Sequence, residues 1–459
     1  METPSQFNKE AEKIAFDLIH RDKIKFNISK YDDAVVHGKE QYLYLEKAKK
    51  RAAFLKYKVI NDLDMYLIQF EDNFSKRGGK VIWAQDNKEA ISEILKIVKK
   101  KSAKLIIKSK SMTTEEIDLN AALEKKKIEV LESDLGEYIV QLAGEKPYHI
   151  VTPAMHKSKE DIAELFNEKF DTPTDSTPEE LTAFVRKLLR EKFQYADIGI
   201  TGANFLIADP GAIALTENEG NGVLSMSFPK THIVVVGIEK IIPSIKDLDL
   251  FLPLLASHGT GQNITVYNSI VTGPKHKDEP DGPEEMYVVL LDNKRSTLLA
   301  EERQRIALSC IRCGACLNAC PVYKNIGGHT YNTTYSGPIG SVINPYMLGM
   351  QEYKHQSFAS SLCGKCTEVC PVKIPLHELL LVNRKESVKK GYTTRSEKLN
   401  IFTWKKTMLS RKKLDFFSGK KKSKLLKYFF KKQWGNRRAF PVIQEKSFNI
   451  LWKEKNNIE

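Results

Sequence analysis

Residues 76–296 of this sequence predict an α/β fold with a mostly parallel open sheet, and three observations carry that reading. From Lys80 onward, short apolar runs rich in β-branched residues alternate with amphipathic stretches about a dozen residues long, the pattern of right-handed βαβ units. Between Asp197 and Gly222, glycine and small polar residues crowd the ends of apolar runs, where an open α/β sheet takes its ligands. All seven cysteines lie beyond this region, from Cys310 to Cys370, so a differently organised segment follows it.

Taken in order, residues 1–75 read as a helical lead-in: Ala15, Leu18 and Ile19, then Leu43, Leu45, Ala52 and Leu55, recur mostly three or four apart. Residues 81–84 form a strand, 87–100 a helix, 105–107 a strand, 113–127 a helix with a capping-box-like Thr113-Thr114-Glu115-Glu116 start, and 128–131 a strand. Residues 138–140 and 149–151 are expected to continue as strands, followed by amphipathic helices over 159–170 and 178–195. Strands at 232–237 and 286–291 flank a helix near 247–257, and 273–284 is an exposed loop. The α/β domain then closes, and a helix over 297–308 leads directly to Cys310.

Composition narrows the class. With 41% hydrophobic and 28% charged residues the chain reads as globular. The start, Met1-Glu2-Thr3-Pro4, lacks the basic and apolar regions of a signal peptide, and no run of about eighteen apolar residues occurs, so a cytoplasmic protein is expected. The net charge of +14 is concentrated: residues 384–459 carry 23 Lys and Arg against 6 Asp and Glu, leaving 49 against 52 for the rest. The body is near neutral, and the tail is basic and helical.

The seven cysteines fall in two runs, Cys310-x2-Cys313-x2-Cys316-x3-Cys320-Pro321 and Cys363-x2-Cys366-x3-Cys370-Pro371. An odd number at such short spacing excludes a secreted disulfide framework. Soft thiolates in a C-x2-C-x2-C-x3-C-P run suit iron–sulfur clusters, in which the fourth cysteine ligates the other cluster. On that logic Cys310, Cys313, Cys316 and Cys370 hold the first cluster, and Cys320, Cys363 and Cys366 the second. The second set is one short, since Ser360 stands three before Cys363. Either Ser360, Ser361 or water completes a 4Fe-4S cubane, or the site holds a 3Fe-4S cluster. A zinc ribbon is the alternative, but it uses two cysteine pairs and not runs of four and three. The residues expected in a two-cluster domain are 297–383, with the tail at 384–459.

These runs, with Gly327-Gly328-His329, Gly337-Pro338-Ile339-Gly340, Lys108-Ser109-Lys110-Ser111-Met112, Asp134-Leu135-Gly136-Glu137-Tyr138 and Thr201-Gly202-Ala203-Asn204, closely resemble the lactate-utilisation protein B family over nearly the whole chain. The resemblance implies a first domain, the LUD domain, similar to the fold of sugar-phosphate isomerases and coenzyme A transferases. It implies a cytoplasmic iron–sulfur subunit that acts with two partner proteins to oxidise L-lactate to pyruvate, allowing growth on lactate. A redox-sensing carboxylate-binding protein is the alternative function.

Outside the cysteines, Lys108, Lys110 and Ser111 sit between a strand and a helix start, where cations and amides could hold an anion; a solvated loop is the plainer reading. Glu217, Asn218 and Glu219 form a turn similar to the glutamate-bearing turn of coenzyme A transferases and read as ligand-binding. His149, His232 and His258 read as structural, as does His156, although His156 beside Lys157 is placed to meet a carboxylate. No G-x-G-x-x-G follows the first strand and there is no P-loop, so nothing points to flavin or nicotinamide. In the tail, Leu425, Leu426, Phe429 and Phe430 form a helical stripe beside Lys427, Lys431 and Lys432, suited to an anionic membrane surface with a quinone-linked acceptor, to an acidic partner, or to packing on the chain's own body. The spacing does not suit base stacking, so no nucleic acid is expected.

Overall fold

The computed structural model describes residues 4–435 and 438–456, apart from the side chains of Lys432 and Gln433. It divides into two units, one up to Ser387 and one from Val388.

In the first unit, ten strands form two sheets: β1 (Lys80–Ala84), β2 (Leu105–Lys108), β3 (Glu129–Glu132), β4 (Ile198–Thr201), β5 (Phe205–Ile207), β6 (Ala212–Glu217), β7 (Thr231–Gly237), β8 (Ile241–Ile242), β9 (Tyr267–Val271) and β10 (Glu285–Leu291). The larger sheet has the order β1-β10-β7-β4-β2-β3, and every pairing in it is parallel. A parallel sheet needs cover on both faces, and β7 accordingly is buried at all seven positions. Ile233, Val235 and Val289 face one core while Val234, Val236 and Val288 face the other. The smaller sheet, β8-β5-β6-β9, is mixed and carries the turn after β6.

The lead-in consists of four helices, Pro4–Ala15, Leu18–Glu40, Leu45–Asn61 and Leu63–Lys76. It shares one apolar core with the cysteine-bearing segment: Phe7, Ile24 and Ile28 belong to the same buried cluster as Cys313, Tyr323, Cys366 and Cys370.

Four expected elements differ. Residues 138–140 lie in a helix, Leu135–Leu142, because Asp134 Oδ1 accepts from Glu137 N at 3.0 Å and caps its start; a short apolar run does not by itself separate helix from strand. Residues 149–151 are loop, tied locally by His149 Nδ1 accepting from Val151 N (3.1 Å) and Thr152 N (3.3 Å). The helix expected over 113–127 is two short helices, Met112–Glu116 and Leu119–Glu124, interrupted at Asp118, whose φ is +50°. Residues 297–308 likewise split into Arg295–Ala300 and a 3-10 turn, Arg305–Ser309.

In the second unit, helices Arg395–Met408, Arg411–Asp415, Gly419–Trp434 and Phe448–Asn456 leave Leu425, Leu426, Phe429 and Phe430 exposed. The side chain of Lys432 lies outside the described residues. No helix among the described residues is long and apolar enough to cross a membrane.

Candidate iron–sulfur centres and the adjoining cavity

Each cysteine run folds as a loop followed by one turn of helix. In the first, Arg312 (φ +62°) and Gly314 (φ +81°) take left-handed conformations, and the helix Ala315–Asn318 follows. This turns Cys310, Cys313 and Cys316 toward one space. An internal cavity is lined by these three and by Cys370, with Ile311, Ile339, Val372, Ile374 and Leu376 among the apolar wall residues. The thiol of Cys316 is raised by burial, with the charges of Cys310, Cys313 and Cys370 and of Cys366 in the second run adding to the shift.

The remaining cysteines sort apart. Burial raises Cys320, and the next cysteine it senses is Cys363; burial lifts Cys366 to about 11, with Cys320 and Cys363 adding to the shift. Cys370, by contrast, is lifted to about 11 by burial and senses Cys310 of the other run. The fold thus brings Cys370 of the second run to the hollow lined by Cys310, Cys313 and Cys316.

A zinc ion with Zn–S bonds of about 2.3 Å would draw its sulfurs to within about 4 Å of one another. Among the described residues, no trio of cysteine sulfurs lies within 4.8 Å. Four soft donors around an apolar hollow fit a cubane. Buried thiols that favour their neutral form also need a bound cation to become thiolates, which iron supplies.

Basic side chains, two of them paired with carboxylates, stand beside this first site. Arg312, between two of its cysteines, stacks over the Tyr335 ring at 4.1 Å and reaches Glu239 Oε1 at 3.5 Å. Glu239 in turn accepts from Arg295 Nε at 2.5 Å, and Arg295 Nη2 donates to Glu116 Oε2 at 2.8 Å. Burial brings Lys56 down to about 7 and Lys240 to about 8, and both sense Cys310.

A second, larger cavity of about 550 Å³ abuts the first site. Ile150, Arg312 and Cys313 line both hollows. Gly259 presses on this wall: a Cβ there would stand 2.8 Å from the Cys313 carbonyl oxygen, so only glycine permits the approach. Lys110 lines the cavity, its Nζ donating to the Val151 carbonyl (3.0 Å) and lying 3.3 Å from Asp134. Glu217, Asn218 and Glu219 line it too, as do Lys157 and Asn204. Glu217 accepts from Gly222 N (2.5 Å) and Val223 N (2.8 Å), and Glu219 from Leu135 N (3.2 Å). Burial raises both carboxyls. Inside the lining, Ser109 Oγ and Arg312 Nη1 are buried without a hydrogen-bond partner.

Three expected ligand residues lie outside this lining. Lys108 is fully buried and paired with Glu132 Oε1 at 2.7 Å, with Thr114 Oγ1 at 2.9 Å, so it neutralises an internal carboxylate at the sheet edge. Ser111 caps the helix Met112–Glu116, accepting from Thr114 N at 3.3 Å. His156 bonds Glu145 at 2.6 Å, and burial lowers it to about 4, leaving a neutral ring at pH 7; its neighbour Lys157 is the residue that reaches the cavity. Sequence reading missed Ser109 and Arg312. Each is unremarkable until the fold buries it; the only signal was that Arg312 is the sole charge in its cysteine run.

An open parallel α/β sheet joined to two cysteine runs that meet in space defines a two-cluster iron–sulfur protein with a ligand-sized cavity. In agreement, residues 67–291 match the LUD domain and residues 306–374 the 4Fe-4S dicluster domain, so the chain carries two 4Fe-4S clusters. It is 46% identical over 408 residues to lactate utilization protein B of Bacillus cytotoxicus, covering 86% of this chain and 85% of that protein. To the protein of the same name from Bacillus subtilis it is 51% identical over 343 residues, 74% and 71% of the two chains. The chain belongs to the lactate utilization protein B family. A DUF162 family protein of known structure from Deinococcus radiodurans is 16% identical, with a TM-score of 0.29 over 50% of this chain and 98% of that one. Anaerobic analysis of the purified chain is expected to return about eight iron and about eight sulfide per molecule, and no zinc.

Proposed function

We propose that this chain is the iron–sulfur electron-transfer subunit of a complex that oxidises L-lactate to pyruvate, allowing growth on lactate, and that it works with two other lactate-utilisation proteins. When bound, the clusters supply one-electron carriage. One observation carries the reading: the cluster ligands run from a cavity wall to the protein surface. Cys313 is buried and lines the 550 Å³ cavity, whereas Cys363, in the other set, is exposed. An electron donor held in the cavity would stand against one set of ligands while an acceptor docks beside the other.

The cavity suits a hydroxy acid at its own end of this line. Arg312 and Lys110 offer cations to a carboxylate, and Glu217 and Glu219 are carboxyls of raised affinity for protons, able to receive those released when a hydroxyl becomes a carbonyl. The basic tail, with Leu425, Leu426, Phe429 and Phe430 exposed, offers a surface for an acidic partner or for an anionic membrane carrying a quinone-linked acceptor.

The test is anaerobic addition of L-lactate to the complex of this chain with its partners, followed by EPR. Growth of a reduced-cluster signal with L-lactate, absent without the partners or with the D-isomer, is the expected result. No reduction in the assembled complex would sink the proposal.

A further inference from the structure

The two cysteine runs are one segment built twice. Positions 310, 313, 316 and 320 recur, at the same spacing, as 360, 363, 366 and 370, with cysteine at every place except Ser360. The backbone repeats with them. Arg312 and Gly314 at φ +62° and +81° correspond to Leu362 and Gly364 at +54° and +80°. The one-turn helices Ala315–Asn318 and Lys365–Glu368 correspond, and so do their internal bonds: Leu317 N to Gly314 O at 2.9 Å matches Thr367 N to Gly364 O at 3.0 Å.

The match extends to the odd position. In the first run the amide of Arg312 donates to Cys310 Sγ at 3.4 Å; in the second the amide of Leu362 donates to Ser360 Oγ at 3.1 Å. The hydroxyl oxygen therefore has the same relation to its loop as a cluster-ligating sulfur has to the first loop. The segment is also pinned from behind, Arg384 donating from Nε to the Ser357 carbonyl (3.0 Å) and from Nη2 to the Ser360 carbonyl (3.2 Å). Ser361, the other hydroxyl in the run, corresponds to Ile311, which ligates nothing, and is exposed.

We propose that Ser360 Oγ is the fourth protein ligand of the second 4Fe-4S cluster, completing the set of Cys320, Cys363 and Cys366. On ligation the hydroxyl gives its proton to solvent as the oxygen–iron bond forms, and a hard alkoxide takes the place a soft thiolate holds in the first site. A hard anionic oxygen favours the more oxidised iron, so the second cluster is held at a lower potential than an all-cysteine set would give.

The experiment uses the full chain, purified anaerobically, in three variants. With Ser360→Ala, iron is expected to fall from about eight to about seven per chain, with a three-iron EPR signal appearing and the signal of the first cluster unchanged. Ser361→Ala is expected to alter neither iron content nor signal. Ser360→Cys is expected to keep about eight iron and to shift the midpoint potential of the second cluster upward, leaving the first in place. Full iron and an unaltered signal in Ser360→Ala would overturn the assignment, as would the three-iron signal appearing in Ser361→Ala. Should Ser360→Ala lose both clusters by failing to fold, Ser360→Cys decides: an unchanged potential for the second cluster overturns the proposal.

Discussion

Replacing Cys370 by alanine is expected to damage the first cluster and spare the second, although Cys370 lies in the second run. Its sulfur borders the hollow made by Cys310, Cys313 and Cys316, and it accepts from Ile374 N at 3.4 Å, which aims it there. Iron should fall from about eight to about seven or fewer per chain, all of it lost from the first site, while the EPR signal of the cluster held by Cys320, Cys363 and Cys366 survives. Cys320→Ala should give the mirror image. Equal loss of both clusters in each variant, with the fold intact by circular dichroism, would argue against the crossed sets.

Arg295→Met is expected to destabilise the first unit by about 3–5 kcal/mol, the cost of stripping one member from a buried charge network. The Arg295 side chain is 1% exposed, and it holds Glu116 and Glu239, themselves 5% and 2% exposed. Removing it leaves two internal carboxylates facing each other, with Arg312, 3.5 Å from Glu239, and Lys240 as the remaining cations. Lysine is a poor rescue, because one ammonium does not reproduce the guanidinium's bonds to both acids. Thermal unfolding of the cluster-loaded chain, followed by circular dichroism, checks the size.

Acid probes the same network. Burial alone would raise the Glu239 carboxyl, but Arg295, Arg312 and Lys240 overcome it and hold the group down to about 2. A carboxyl held lower in the folded chain than in the unfolded one stabilises fully above its ordinary range near 4.5. That contribution is lost as pH falls from there to about 2. The wild-type chain should lose stability over that window more steeply than Glu239→Gln.

The parallel sheet and the metal-binding spacing were legible in the sequence for the same reason: both are patterns of neighbours along the chain. β7 and β10 each carry an unbroken apolar run, 233–236 and 286–291, and the cysteines recur at fixed intervals. Residues 138–140 misled because an apolar triplet has no period of its own, and the deciding feature was a cap one turn upstream at Asp134. Lys108 misled in another way. Its place after a strand suggested an exposed cation, but whether a lysine there meets solvent or Glu132 depends on which strand lies beside it, and β3 brings the glutamate. Glu217, Asn218, Glu219 and Lys110 do meet at one cavity, as their positions at strand ends suggested, whereas Ser109 and Arg312 stand out only once burial has removed their water.

The exchange of cysteines between the two runs also bears on biogenesis. Cys310, Cys313 and Cys316 emerge from the ribosome some sixty residues before Cys370, an interval of several seconds at ordinary rates of synthesis. Through that interval the first site is an open, three-thiol cup, and the second has only Cys320. With ligands exchanged in this way, loading is expected to follow synthesis and to close both sites together, so a chain cut short between residues 320 and 360 is expected to carry neither cluster, which iron analysis of that chain checks.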